Sequence, residues 1–529
     1  MTRRLIPAAL ALALSALPAA AKTFVFCSEG SPEALNPQLT TTTIGMDASR
    51  PIYNTLVEFV PGTTTIRPAL AESWSIGDDG REYVFKLRPG VRFHASETFR
   101  PGRDMNADDV VFSFMRQWKP DHPFHRVSGG TYDYFKDLGM PEILESIDKL
   151  DDLTVRVRLK RPDAVFLSNI AMPFNIVLSS EYANAMLRAG TPERLDLEPI
   201  GTGPFTFVSF QKDVALRYRV FPDFWGERPK IDALVYSITP NPAVRLTKLK
   251  SGECHAMAFP NPGDHAKIAK DPALKLHRQE GLNVGYLALN TTRKPFDDVR
   301  VRRAINMAID KASIVDAVYQ GAGVVAKNPI PPTLWAYNPD VVDYPFDRAA
   351  AQRLLAEAGY PEGFEAELWY LPVSRPYNPN GKRVAEMIQA DLSRIGIRLK
   401  LVTDEWVQYR NRLQGGETSM ALYGWTGDNG DPDNFLDVLL GCTSSRVGGN
   451  NVSKWCQRDY DSLVVKAKLT ADQDERARLY REAQLVFKAE APWVPLAHSV
   501  VFMATRREVV GYRMDPLGRQ IFDHVDLQP

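Results

Sequence analysis

The sequence predicts an α/β protein of two or three domains. Length sets the domain count, because 529 residues exceed what a single hydrophobic core sustains. Pattern sets the class: from Leu282 onward, short apolar runs alternate with segments of helical period. In the same region two turns of opposite charge follow predicted strands, which marks a candidate site for a ligand carrying both charges.

The N-terminus is an address and not part of the fold. Arg3-Arg4, an apolar run over residues 5–17 and Ala19-Ala20-Ala21 have the pattern of a cleaved secretory signal, which starts the mature chain at Lys22. The run is short for a membrane span and no stop-transfer pattern follows it. No cysteine stands at the cleavage point to take a lipid, so a free periplasmic protein is expected. A formal net charge of zero argues against nucleic acid or an anionic membrane as the main partner.

Cys27, Cys254, Cys442 and Cys456 remain after cleavage, and an even count in an exported chain favours disulfides. Of the three pairings, the short Cys442–Cys456 loop favours a local bridge of about 3 kcal/mol. Cys27 is then left for Cys254. A metal site is the weaker alternative, since no CxxC spacing occurs.

In chain order, residues 22–27 read as a strand, and a threonine cluster over residues 40–43 reads as a solvated loop. Asp79-Gly80 between alternating residues predicts a hairpin. Asn106 caps a helix. His122 and His125 have HxxH spacing but lack a third ligand, and are read as structural. Residues 155–159, 216–220 and 231–238 read as strands. PIGTGPF (residues 199–205) lacks the ending of a phosphate loop and reads as a domain-crossing turn. Strands are then expected over 282–289, 364–371, 397–402, 419–425 and 493–502. The helices among them are 299–309, 347–358 (stopped by Gly359), 383–395, one capped by Asp404, and 472–489, read as a solvated amphipathic element. The loose glycine pattern at Gly321 follows a helix, so it is a weak nucleotide signal. No GxSxG, HExxH or P-loop motif occurs.

Residues 364–425 form a β-α-β-α-β unit. Right-handed crossovers put the turn after residue 371 and the turn after residue 425 at one end of a sheet. The first turn carries one fixed cation, Arg375, among prolines; the second carries Asp428, Asp431 and Asp433, led by Trp425. Aspartate and glycine are also ordinary turn residues. A calcium loop fits poorly, because Gly430 falls where a ligand belongs and no closing Glu is present.

Five stretches carry a family likeness over essentially the whole mature chain: CSEGSPEALNPQ (27–38), MNADDVVFSF (105–114), PIGTGPF, RPYNPN (375–380) and GWTGDNGDPDNF (424–435). The chain resembles the extracellular solute-binding proteins of family 5, and the last two stretches resemble the dipeptide branch. The resemblance implies a two-lobed periplasmic binding protein type II fold with an additional inserted domain. Lobe I would comprise residues 22–52, 199–280 and 500–529, the inserted domain 53–198, and lobe II 281–499. It also implies that Asp428 takes a ligand ammonium and Arg375 a ligand carboxylate. Thr41, Pro376, Tyr377, Trp425, Thr426 and Gly427 match further contact positions, and the same two cysteine pairs are implied. The implied function is capture of free dipeptides, without cofactor or catalysis, by a monomer that delivers them to an ABC transporter permease, with a chemoreceptor as a further partner. Haem, glutathione, nickel and longer peptides are ligands of relatives, and a secreted peptide hydrolase is the alternative from another class. Two extended residues plus a hydrogen bond at each end place the Arg375 and Asp428 head groups within about 13 Å in a closed, liganded form.

Overall fold

The computed structural model describes residues 21–528 apart from residues 41 and 373, so the expected secretion signal lies outside the described residues except for Ala21. The fold is mixed α/β, with a twelve-stranded sheet, a four-stranded antiparallel sheet and two small two-stranded ones.

One half of the large sheet is the alternating region. Strands Glu365–Trp369, Arg398–Val402 and Met420–Thr426 run parallel, with the first between the other two. Helices Gly381–Ser393 and Trp406–Gly415 make the crossovers. The first starts at Asn380, whose side chain accepts from the Arg383 N–H, and buries Val384, Ile388 and Leu392 at helical spacing. Met420 to Gly424 are all buried, as a central strand covered on both faces requires. This strand pairs antiparallel with Asn283–Leu289, itself buried throughout.

The other half is built around Thr23–Ser28, which lies parallel to Ala233–Ile238 and Ala256–Ala258. Two antiparallel runs join the halves. Leu274–Glu280 leads through Gly281 into Asn283–Leu289, and the 14-residue strand Trp493–Arg506 pairs with both. They meet where the Gly281 N–H donates to the Ser499 carbonyl at 2.9 Å.

The antiparallel sheet contains Ala71–Ile76, Glu82–Leu87, Leu144–Asp151 and Thr154–Leu159, with Asp79-Gly80 turning its first hairpin. Helix Ala107–Trp118 beside it opens on a reciprocal cap between Asn106 and Asp109. The PIGTGPF turn lies along residues 51–52: the Gly203 N–H donates to the Ile52 carbonyl at 2.8 Å, and the Phe205 N–H to Pro51 at 3.0 Å. The chain thus leaves and returns at one place. His94 clamps this turn, with Nε2 at 2.9 Å from the Gly203 carbonyl and Nδ1 accepting from the Gly201 N–H at 3.4 Å. Cys27 is bonded to Cys254, and Cys442 to Cys456.

Several expectations need correction. The helix Gln473–Glu490 is not a solvated element: it buries Arg476, Leu479, Tyr480, Ala483 and Phe487. Asp404 stands one residue too early to cap Trp406–Gly415, and its carboxylate instead accepts from the Glu405 N–H and Arg412. The strand expected over 364–371 is trimmed to Glu365–Trp369, while the last strand runs on to Arg506. His122 and His125 bond backbone groups, Phe124 N–H and the Arg116 carbonyl. Among the described residues no group of His, Cys, Asp or Glu could hold a metal ion, and no helix is long and apolar enough to cross a membrane.

Candidate ligand-binding site

Both charged turns leave the C-terminal ends of neighbouring parallel strands. Trp369 pairs with Ala421, so the chains diverge side by side into residues 370–380 and 427–433. Such ends of parallel strands are where α/β sheets collect ligands.

Tyr377 fastens the two turns together. Its ring lies on Gly424, where a Cβ would come within 2.2 Å of the ring, so no larger residue fits without displacing it. Its carbonyl accepts from the Tyr319 hydroxyl at 2.6 Å. Burial pushes the Tyr377 phenol pKa up, against the nearby Arg375 and Arg410, and the group stays neutral. Backbone bonds between Arg375 and Asn378 at 3.0 and 2.9 Å close the turn into a tight loop. The Arg375 guanidinium lies 4.8 Å over the Trp406 ring, which fixes its direction. Among the described residues it has no ion-pair partner. Pro376 is exposed at the loop tip.

The three aspartates of the second turn have different fates. Asp431 is buried against Arg476 at 2.8 Å, and Asp433 against Lys468 at 3.2 Å. Burial pushes the Asp433 carboxyl up to about 7, whereas Asp433, Asp437 and Asp163 together hold Lys468 firmly charged. The ammonium sits at 3.2 and 2.9 Å from two carboxylates, which keeps it charged among them. Asp431 and Asp433 are therefore structural, and only half-buried Asp428 remains at the surface of the site. Gly427 is fixed by its N–H on the Leu282 carbonyl at 2.7 Å, and a Cβ there would strike Leu282 and Phe435. Thr426 is exposed and Trp425 half-buried. Thr41 lies outside the described residues; its neighbours Thr40 and Thr42 both donate to Glu33, and Thr42 caps the helix Thr43–Ser49.

Asn434 and Tyr134 are absent from the sequence-derived set. Asn434 organises the acidic turn: its Oδ1 accepts from the Trp425 indole at 2.9 Å and the Asp428 N–H at 3.0 Å, and its Nδ2 donates to Asp428 Oδ2 at 3.1 Å. An amide closing the DPDN run is the signal that could have found it. Tyr134, far earlier in the chain, donates its hydroxyl to Asp428 Oδ1 at 3.1 Å. Asn429 also bonds Asn169 at 2.8 Å. No local pattern marks either contact. Trp406 likewise carries no signal in the sequence, being one aromatic at a helix start.

The family model for bacterial extracellular solute-binding proteins, family 5, matches residues 65–446. The chain belongs to that family. Among its relatives, the dipeptide-binding protein of Escherichia coli (strain K12) is 52% identical over 509 residues, covering 96% of this chain and 95% of that protein. Heme-binding protein A of Haemophilus influenzae (strain ATCC 51907 / DSM 11121 / KW20 / Rd) is 50% identical over 501 residues, with 94% and 91% covered. The crystal structure of a dipeptide-binding protein from Pseudoalteromonas sp. SM9913 in complex with Met-Leu superposes with a TM-score of 0.82 at 36% identity, covering 96% of this chain and 100% of the other.

Proposed function

We propose that this protein captures free dipeptides in the periplasm and presents them to the membrane permease of an ABC importer. One observation carries the reading: a guanidinium and a carboxylate, Arg375 and Asp428, stand on adjacent strand-end turns that Tyr377 locks together. Arg375 pairs with the peptide carboxylate through two parallel bonds, and Asp428 with the ammonium. Tyr377, Trp425, Thr426, Gly427, Pro376 and Thr41 form the surrounding contacts. Lobe I, the inserted domain and lobe II divide the chain at about residues 53, 199, 281 and 500, with the lobes closing over the ligand about Gly281 and Ser499. The relatives named for dipeptides support the ligand class. The protein does no chemistry on its ligand, and leaves the cell membrane with its signal removed after Ala21.

Calorimetry tests this with a dipeptide, its N-acetyl derivative and its C-terminal amide. Stripping either charge leaves a desolvated partner unpaired, so each derivative is expected to bind at least tenfold more weakly. Equal affinities would overturn the reading, and recovery of cleaved peptide would replace it with hydrolysis. A second reading, haem capture, has the 50% identity to a heme-binding protein in its favour. A Soret shift on haem titration that a dipeptide reverses would place haem in the same cleft.

A further inference from the structure

A cavity of about 320 Å³ opens among segments other than the two charged turns. It is walled by segments remote in sequence: the end of the helix Thr43–Ser49, residues 53–68, residues 171–176, the loop at Trp225 and the tail at Asp523. Neither Arg375, Tyr377, Trp425 nor Asp428 lines it.

Two of its charges lack hydrogen-bonded partners. Other cations on its wall are satisfied: Arg67 pairs with Glu58 at 2.7 Å, and Arg519 with Asp515 at 2.5 Å. The Arg50 guanidinium makes no hydrogen bond to any described residue; its Nε is buried and only approaches Asp47, at 3.8 Å. The Asp47 oxygen that faces it also accepts from the Gln520 N–H at 3.0 Å, and burial pushes that carboxyl up to about 7 against the pull of Arg50. Burial and the neighbouring Arg519 pull the Arg50 pKa down. Across the cavity the Asp523 carboxylate likewise makes no hydrogen bond or ion pair with a described residue, and burial pushes it up to about 6. Arg50 and Asp523 feel each other's charge yet stand too far apart to pair directly. Beside them the wall is aromatic, with Phe59 and Trp225, and the buried Tyr53 hydroxyl has no partner.

A half-buried guanidinium whose nearest carboxylate is 3.8 Å away and a half-buried carboxylate without a hydrogen bond, separated by a gap, suit a ligand that bridges them. The bridge must offer a carboxylate to one and a cation to the other, and an apolar body to the rings. Volume limits its size, since about 300 Å³ is the lower end of small-molecule sites. We infer that this cavity is a second ligand site, for a single free α-amino acid, with its carboxylate on Arg50, its ammonium on Asp523 and its side chain against Phe59 and Trp225.

The inference does not depend on what the Arg375–Asp428 site binds, and the test keeps them apart. L-leucine is titrated calorimetrically into the full chain carrying Arg375→Ala and Asp428→Asn. Saturable binding is expected, weakened at least tenfold by adding Arg50→Gln or Asp523→Asn. Leucinamide and 4-methylpentanoate, each lacking one charge, should also bind at least tenfold more weakly. A crystal soaked in leucine should show it between Arg50 and Asp523. Retained dipeptide binding by the single variants Arg50→Gln and Asp523→Asn confirms that they fold. The inference falls if leucine gives no heat, if neither added substitution weakens it, or if 4-methylpentanoate binds as well as leucine.

Discussion

Asp428→Asn is the substitution that separates charge from shape. The carboxylate accepts from Tyr134 through Oδ1 and from Asn434 through Oδ2. An asparagine can keep its oxygen on Asn434 and turn its amide toward the Tyr134 hydroxyl, which also accepts. The turn should therefore hold its shape, with thermal unfolding little changed. The loss is the ion pair to the ligand, which truncation studies of desolvated pairs place at about 2–5 kcal/mol, roughly thirtyfold to several-thousandfold in affinity. The assay is calorimetry with a dipeptide and its des-amino analogue. The native chain should prefer the dipeptide strongly, and the variant should lose most of that preference. An unchanged melting temperature together with dipeptide affinity within about threefold of native would remove Asp428 from the ammonium role.

Gly424→Ala would drive a methyl to 2.2 Å from the Tyr377 ring, so that ring must move; a stability loss of about 1–3 kcal/mol by urea titration is expected, with weaker dipeptide binding as the Arg375 loop shifts. Arg476→Met leaves Asp431 buried without its cation and should cost about 3–5 kcal/mol, again read from urea midpoints. Replacing both Cys442 and Cys456 by serine opens a loop of 14 residues' separation, with an expected cost of about 3 kcal/mol. Acid should act through His94 and His498, which burial holds neutral down to about pH 4. The unfolded chain binds protons there from about pH 6.5, so stability is full above that value and falls between about 6.5 and 4, by up to about 3 kcal/mol per histidine. His94→Gln should flatten part of this fall in unfolding measured from pH 7 to 4.

The arrangement of the site was legible wherever it was local. Breakers at Gly427 and Pro372 end apolar runs, and helical spacing read over residues 383–395 implies parallel neighbours, so Arg375 and Asp428 emerge at one edge. What the sequence could not disclose is which aspartates remain available. Asp431 and Asp433 look equivalent to Asp428 in a string, and their fate is decided by Arg476 and Lys468, which arrive on helices later in the chain. Tyr134 is hidden for the same reason, since its contact spans 294 positions. The helix Gln473–Glu490 misled because its charges suggested water, whereas one of them is an internal counter-ion. Arg50 and Asp523 come to line one cavity only through the folding of opposite ends of the chain.

The strand Trp493–Arg506 changes partners without interruption, from Asn283–Leu289 on one side of Ser499 to Leu274–Glu280 on the other. Under the proposed closure of the lobes, a ribbon held by ladders on both stretches cannot slide or come apart. Where the ladders change over, Gly323–Val325 pairs with residues 497–499 as well, so the strand bends there like a leaf spring clamped at each end. Its amides should then be among the slowest in the molecule to exchange with deuterium, including Ser499 and Val500, whose N–H groups are held by Asn283 Oδ1 and the Ala322 carbonyl.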